Sequence, residues 1–368
     1  METTFFTSGN LTLFSITRDA YPLSLCCMKT MLFNYTLPER LIAQHPPKGR
    51  DASRMLVLHR KNGKIEHRSI REIAHFLTPK DRLVMNNTRV MPARLFGQKE
   101  TGGKIELLLL REEEPSLWRV LMKSSRRPTA GSQLMFCEGQ LRATLIADGK
   151  QGEALLQFKS EQPIMDLLET YGLPPLPPYI SRDSSNAYAA DRDRYQTVDA
   201  SQPGAAAAPT AGLHFTPELL ASLQTQGIQR SELTLHVGLG TFRPVSAAQI
   251  TDHHMHAEEY EVNEKTAAQL RATRAEGGKL VAIGSTSVRT LESLPALNAA
   301  RGETDIFIYP PYTFRHTDAI LTNFHLPQST LLMMMSAFAD RELLLHAYQE
   351  AIAEEYRFFS YGDCMLIL

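Results

Sequence analysis

Four cysteines in 368 residues, none spaced as CxxC, leave no disulfide framework and no thiolate zinc site. Cys26, Cys27, Cys137 and Cys364 are expected as free thiols in a reducing compartment. An excess charge of one sign is also missing: 39 Lys and Arg stand against 40 Asp and Glu, a net charge of −1. No overall basic character announces a nucleic acid, so any RNA contact has to rest on a local patch. Long apolar runs are absent, and with them a membrane span. Residues 1–27 are apolar at Leu11, Leu13, Phe14 and Ile16, but they lack a basic leader and are interrupted by Arg18, Asp19 and Pro22. They fit neither a signal peptide nor a span and read as an extension, disordered or preceding a true start at Met28. The HExxH motif and repeated aspartates of common metal hydrolases are missing too.

What is present is enough apolar content, 43%, to build two full cores. A short helix is expected over 38–44, stopped by Pro46 and Pro47, and a hairpin around Asn62-Gly63. Ser69 should cap a helix reaching about Leu77. From residue 87 to 160, strand-like runs recur evenly at 93–97, 104–111, 117–123, 133–136, 141–147 and 153–158, which suggests a small barrel or sandwich. After it the pattern alternates between helix and strand: helices over 217–227 and 263–277, buried strands at 280–283 and 306–309, and a last strand at 364–368 that closes the sheet. That alternation favours a three-layer αβα sandwich of α/β class formed by 28–86 and 161–368, with 87–160 as an inserted small β-barrel domain.

The residues suited to chemistry concentrate between Gly204 and Tyr260, which hold five of the twelve histidines. Glycines let backbone approach a ligand, and imidazoles and carboxylates move protons near neutral pH. The run Asp252-His253-His254-Met255-His256 invites a metal reading, but further ligands at helical or strand spacing are absent. At Gly284-Ser285-Thr286 a strand runs into a helix N-terminus whose open amides suit a carboxylate, a ribose hydroxyl or a phosphate. The glycine and lysine spacings of the phosphate-binding loops are not there.

The runs APTAGLHFT, TLHVGLGTFRPV, DHHMHAEEYEV, GSTSVRTLES, TNFHLPQSTLL and YRFFSYGD, in that order, resemble the S-adenosylmethionine:tRNA ribosyltransferase-isomerase family of queuosine biosynthesis, from about Met28 to the C-terminus. The resemblance implies a β-barrel for the inserted strands and a cytoplasmic enzyme. It also implies a reaction that consumes S-adenosylmethionine as a substrate and needs no cofactor and no metal. The ribosyl part would pass to the aminomethyl-deazaguanine base at the tRNA wobble position, leaving an epoxycyclopentane ring and releasing adenine and methionine. Such chemistry needs a base beside the sulfonium, an acid for adenine and groups that hold the ribose. By residue type, His214, His236, Asp252 and His256 are the proton-transfer candidates. Thr210, Thr241, Arg243, Thr286, Ser287 and Arg289 are candidates to hold ribose and the methionine carboxylate. Asn323 and His325 are candidates to read adenine or the deazaguanine edge.

For the tRNA, Lys99, Lys104, Lys123, Arg126 and Arg127 on the barrel loops are either a solvated surface or a phosphate footprint. Arg182, Arg192 and Arg194 with Tyr188 and Tyr195 offer phosphate contacts and stacking faces. A monomer without membrane contact is expected. The chain departs from the family pattern at Asn87 (aspartate expected), Asp199 (tyrosine), Ala257 (serine) and Pro311 (glycine), and the first two change charge. A tRNA-binding relative without turnover and a metal-dependent hydrolase using the histidine cluster remain the alternatives.

Overall fold

The structure, a computed structural model, describes residues 28–149, 152–182, 188, 190–238 and 245–368. β1 (Arg54–His59) and β2 (Lys64–Ser69) form the hairpin around Asn62-Gly63, with Gly63 at φ 72°, a region closed to most side chains. Ser69 and Glu72 make a reciprocal capping box, but the helix they start, Ile70–Phe76, is 3-10 rather than α. The helix expected over 38–44 shrinks to one 3-10 turn, Glu39–Leu41. Ile42 and Ala43 are drawn instead into pairing with Phe358, a partner more than 300 residues away that no local signal reveals.

β3 (Arg82–Asn86) and β4 (Thr88–Val90) lead into six strands: β5 (Arg94–Lys99), β6 (Lys104–Glu114), β7 (Leu117–Ser124), β8 (Gln133–Phe136), β9 (Leu141–Asp148) and β10 (Glu153–Lys159). These close into an antiparallel barrel in the order β10-β7-β6-β5-β8-β9. The period-2 pattern decides which side chains fill it: Ile105, Leu107 and Leu109 of β6 and Ala154, Leu156 and Phe158 of β10 lie in one buried cluster.

The chain continues through α1 (Ile164–Tyr171), the single turn α2 (Asp191–Arg194), β11 (Gln202–Ala205), α3 (Pro217–Thr225), β12 (Gln229–Leu235), β13 (Glu258–Val262), α4 (Glu264–Ala275), β14 (Leu280–Ile283), α5 (Ser285–Ser293), β15 (Ala300–Thr304), β16 (Ala319–Asn323), α6 (Thr330–Ala339), α7 (Arg341–Ala353) and β17 (Cys364–Ile367). Nine strands form one mixed sheet in the order β15-β13-β12-β3-β14-β16-β17-β1-β2, while β4 and β11 pair as a separate parallel ribbon. Leu56, Val84, Ala282, Ile320 and Met365 face a core shared with α4 to α7. Their neighbours Val57, Leu83, Val281, Leu321 and Leu366 face a second core shared with α3 and the 70–76 helix. The sheet is therefore buried on both faces, as its continuous apolar strands require, and the molecule is an αβα sandwich carrying a closed barrel.

Two expectations need correction. The run 306–309 is not a strand; β15 takes the place beside β13, while the Phe307 and Tyr309 rings contact each other at a tilt of 55°. An apolar run signals burial and does not say what does the burying. β17 does not close the sheet but lies inside it, antiparallel to β16 and parallel to β1. Cys137 and Cys364 are buried free thiols; Cys26 and Cys27 fall outside the described residues. Among the described residues no helix is long and apolar enough to cross a membrane.

Candidate active site

Strands β12, β3, β14 and β16 run parallel to one another, so their C-terminal ends share one edge of the sheet. Open α/β sheets present their ligand crevices at that edge. A cleft lies there, lined by Thr210, Val237, Gly284, Thr286, Asn323 and His325 among others, with no lysine or arginine among the described residues of its wall. Gly284 joins β14 to α5 at φ 86°, and a Cβ on it would stand 3.4 Å from the Ala211 Cβ and 3.8 Å from the Thr286 hydroxyl. No side chain caps α5 and its first turn holds no acid. Thr286, 4% exposed, has a hydroxyl with no hydrogen-bond partner. Open amides, the positive end of the helix dipole and an unspent hydroxyl together make a seat for a negative group.

Beside this seat a hydrogen-bonded chain links three elements. Thr210 donates to the Asn323 side-chain oxygen at 2.9 Å, and the Asn323 amide nitrogen faces His214 Nε2 at 3.0 Å and the Phe359 carbonyl at 3.2 Å. The carbonyl only accepts, so the amide must present its nitrogen and His214 Nε2 must accept as well. The proton of the neutral ring then sits on Nδ1, which reaches Ser53 Oγ at 2.8 Å. Both ring nitrogens of His214 are engaged, and burial pushes its pKa down to about 4. His325 is similar: Nε2 meets Thr322 Oγ1 at 2.7 Å, and burial lowers its pKa to about 3. Both imidazoles stay neutral at physiological pH.

The remaining candidates divide by position. His236 follows β12, half-buried, with Nδ1 2.8 Å from Thr88 Oγ1 and a pKa that burial lowers. Gly204 packs directly on that ring; a Cβ there would approach it to 2.8 Å. Ser287 is buried and donates to the Ile283 carbonyl of its own turn, at 3.0 Å. Arg289, 1% exposed, ion-pairs with Glu258, whose other oxygen accepts from the Gly238 amide at 2.8 Å. Asp252 and His256 are exposed and do not line the cleft, and His253 packs edge-on against Phe307. Thr241 and Arg243 lie outside the described residues. Among the described residues no three His, Cys, Asp or Glu side chains converge as metal ligands.

Two contributors were missed from sequence. Asn86 clamps the ends of β3 and β12 by accepting from the Thr88 and Leu235 amides, each at 3.1 Å, and donating to the Leu235 carbonyl at 2.9 Å. Ser53 holds His214. Neither lies in a distinctive run; only the fold brings them to their partners. A larger cavity, about 1390 Å3, opens between the barrel and the proline-rich stretch, with Phe96, Lys104 and Lys123 in its wall. It contains no imidazole, so the smaller cleft is the candidate for the chemistry.

A family model described as "Queuosine biosynthesis protein" matches residues 30–367. The chain belongs to the queuosine biosynthesis protein family. It is 38% identical to a solved structure described as S-adenosylmethionine tRNA ribosyltransferase from Thermotoga maritima, with a TM-score of 0.52, over 92% of this chain and all of that one. As a member of this family the chain is an enzyme, and its two charge-changing departures from the pattern lie away from the cleft. Asn87 donates to Glu232 at 3.4 Å and accepts from Thr234 at 2.7 Å, whereas an aspartate would face the Glu232 carboxylate. Asp199 is held by Arg230 at 2.6 Å. Neither lines the cleft wall.

Proposed function

We propose that this enzyme transfers and isomerises the ribosyl moiety of S-adenosylmethionine onto the aminomethyl-deazaguanine base at the tRNA wobble position, giving epoxyqueuosine-tRNA with release of adenine and methionine. The observation that carries the reading is the character of the cleft: largely apolar, with no lysine or arginine among the described residues of its wall, and with the neutral imidazole of His325 in that wall. A sulfonium cation is not repelled in such a site, and a cationic wall would exclude it. In this reading the substrate's carboxylate sits on the α5 N-terminus and Thr286. His325 and the second lone pair of the Asn323 side-chain oxygen read a base edge.

His214 acts as a positioning residue here, because its accepting nitrogen is already used to orient Asn323. His236 is the proton acceptor of the reading, as the imidazole at the end of β12 beside cleft-lining Val237. Arg289 and Glu258 hold the backbone at Gly238. The enzyme acts as a cytoplasmic monomer without a resident cofactor, and S-adenosylmethionine is consumed.

Mixing the protein with S-adenosylmethionine and tRNA carrying the precursor base, then following adenine by chromatography, tests the reading. Stoichiometric adenine with ribosylated tRNA is expected. Tight tRNA binding without adenine would instead make this a binding relative, and activity lost on chelation would favour a metal-dependent hydrolase.

A further inference from the structure

Most of the arginines that seemed free to meet RNA are already occupied. Arg182 is buried and forks onto Asp191 at 2.6 and 2.9 Å, and Arg192 pairs with Glu169. Arg194 differs. It donates to the carbonyls of Pro47 (2.6 Å) and Lys48 (3.2 Å), while Arg50, from that same loop, donates back to the Asp193 carbonyl at 2.7 Å. The exchange anchors both guanidinium groups around one small pocket, about 10 Å3, that they share with Ser53, His214 and Ser360. Arg50 Nη1 and Arg194 Nε are buried there without a hydrogen-bond partner, and no carboxylate lies within ion-pair distance of either among the described residues.

Two adjacent cations with unspent donors and no counter-charge are costly unless an anion completes them. The cost is visible in Arg50, whose pKa is lowered by burial first and by the Arg194 charge next. The Tyr361 and Asp193 groups oppose this only weakly. The nearest other acid, Asp191, is spent on Arg182 and on the Tyr361 hydroxyl.

We propose that the Arg50–Arg194 pair is a seat for one phosphodiester of the RNA substrate. The two unspent donors, Arg50 Nη1 and Arg194 Nε, arrive from different loops and suit a tetrahedral oxyanion rather than a flat carboxylate. The location fits as well, because His214 lines this pocket while its Nε2 faces Asn323 of the cleft, so one side chain separates the phosphate seat from the reaction site. The inference rests on the proposed use of tRNA as substrate.

The test uses the full chain and Arg50→Gln and Arg194→Gln, with labelled precursor tRNA titrated over a salt series and S-adenosylmethionine titrated by calorimetry. Each variant is expected to weaken tRNA binding about tenfold and to lower the salt slope by about one, with S-adenosylmethionine binding unchanged. Inorganic phosphate should raise the parent's unfolding midpoint above that in chloride of equal ionic strength, and the double variant should lose the increment. If a glutamine variant fails to fold, Arg50→Lys and Arg194→Lys decide: they should keep the slope and lose affinity about threefold with the fork. Unchanged tRNA affinity and slope would overturn the assignment. So would loss of S-adenosylmethionine binding alone, which would make the anion a carboxylate. A parent that binds no tRNA at all sinks the proposed function, whereas the phosphate measurement then still decides whether the seat exists.

Discussion

His214 is buried neutral between Ser53 and Asn323, and this makes a stability prediction with a definite sign. A proton added at Nε2 would point at the Asn323 amide nitrogen, donor against donor, in a site 3% exposed. The folded pKa of about 4 lies below the ordinary 6.5, so the unfolded chain takes the proton first as pH falls. Stability is therefore intact above about pH 7 and is lost as pH falls towards 4. The loss reaches about 2 kcal/mol at pH 5 and about 3 kcal/mol in the limit. His214→Gln removes the titration and, at pH 7.5, should cost about 2 kcal/mol for the disturbed buried hydrogen bonds. Urea unfolding of both proteins between pH 7.5 and 5 should show that deficit shrinking to near zero, with the variant's pH slope reduced by up to one proton. A deficit that stays constant across the range would mean that His214 is not held neutral as described.

Other outcomes follow from the same geometry. Thr286→Val should weaken S-adenosylmethionine binding about tenfold, roughly 1.4 kcal/mol, in calorimetry and leave tRNA affinity unchanged; equal loss of both would remove the carboxylate seat. Gly204→Ala places a methyl 2.8 Å from the His236 ring, so adenine release should fall at least about tenfold, and an unchanged rate would take His236 out of the reaction. His256→Ala, at an exposed position, should keep adenine release within about threefold of the parent. Deleting residues 365–368 removes most of an interior strand and should abolish soluble, folded protein, as circular dichroism would report; a folded truncation would contradict the place of β17.

The sequence alone determined what depends on neighbours a few residues apart. Evenly spaced strand-like runs located all six barrel strands, because short strands and the turns between them are set by neighbouring residues. Thr216 and Asn263 cap the helices expected over 217–227 and 263–277 through bonds to amides three residues on, so those starts were legible too. The long polar runs identified the family and brought Thr210, Thr286, Asn323 and His325 into view, and all four line the cleft.

Tertiary structure decided which of these residues share a surface and what each is free to do. Asp252 and His256 looked as reactive as His214 on composition, yet the fold leaves them exposed and away from the cleft wall. His214 looked like a base until Ser53, 161 residues away, and Asn323, 109 residues away, claimed its two nitrogens. Burial sets a pKa and spends a lone pair through atoms distant in sequence, so proton chemistry is written in the packing and not in the motif.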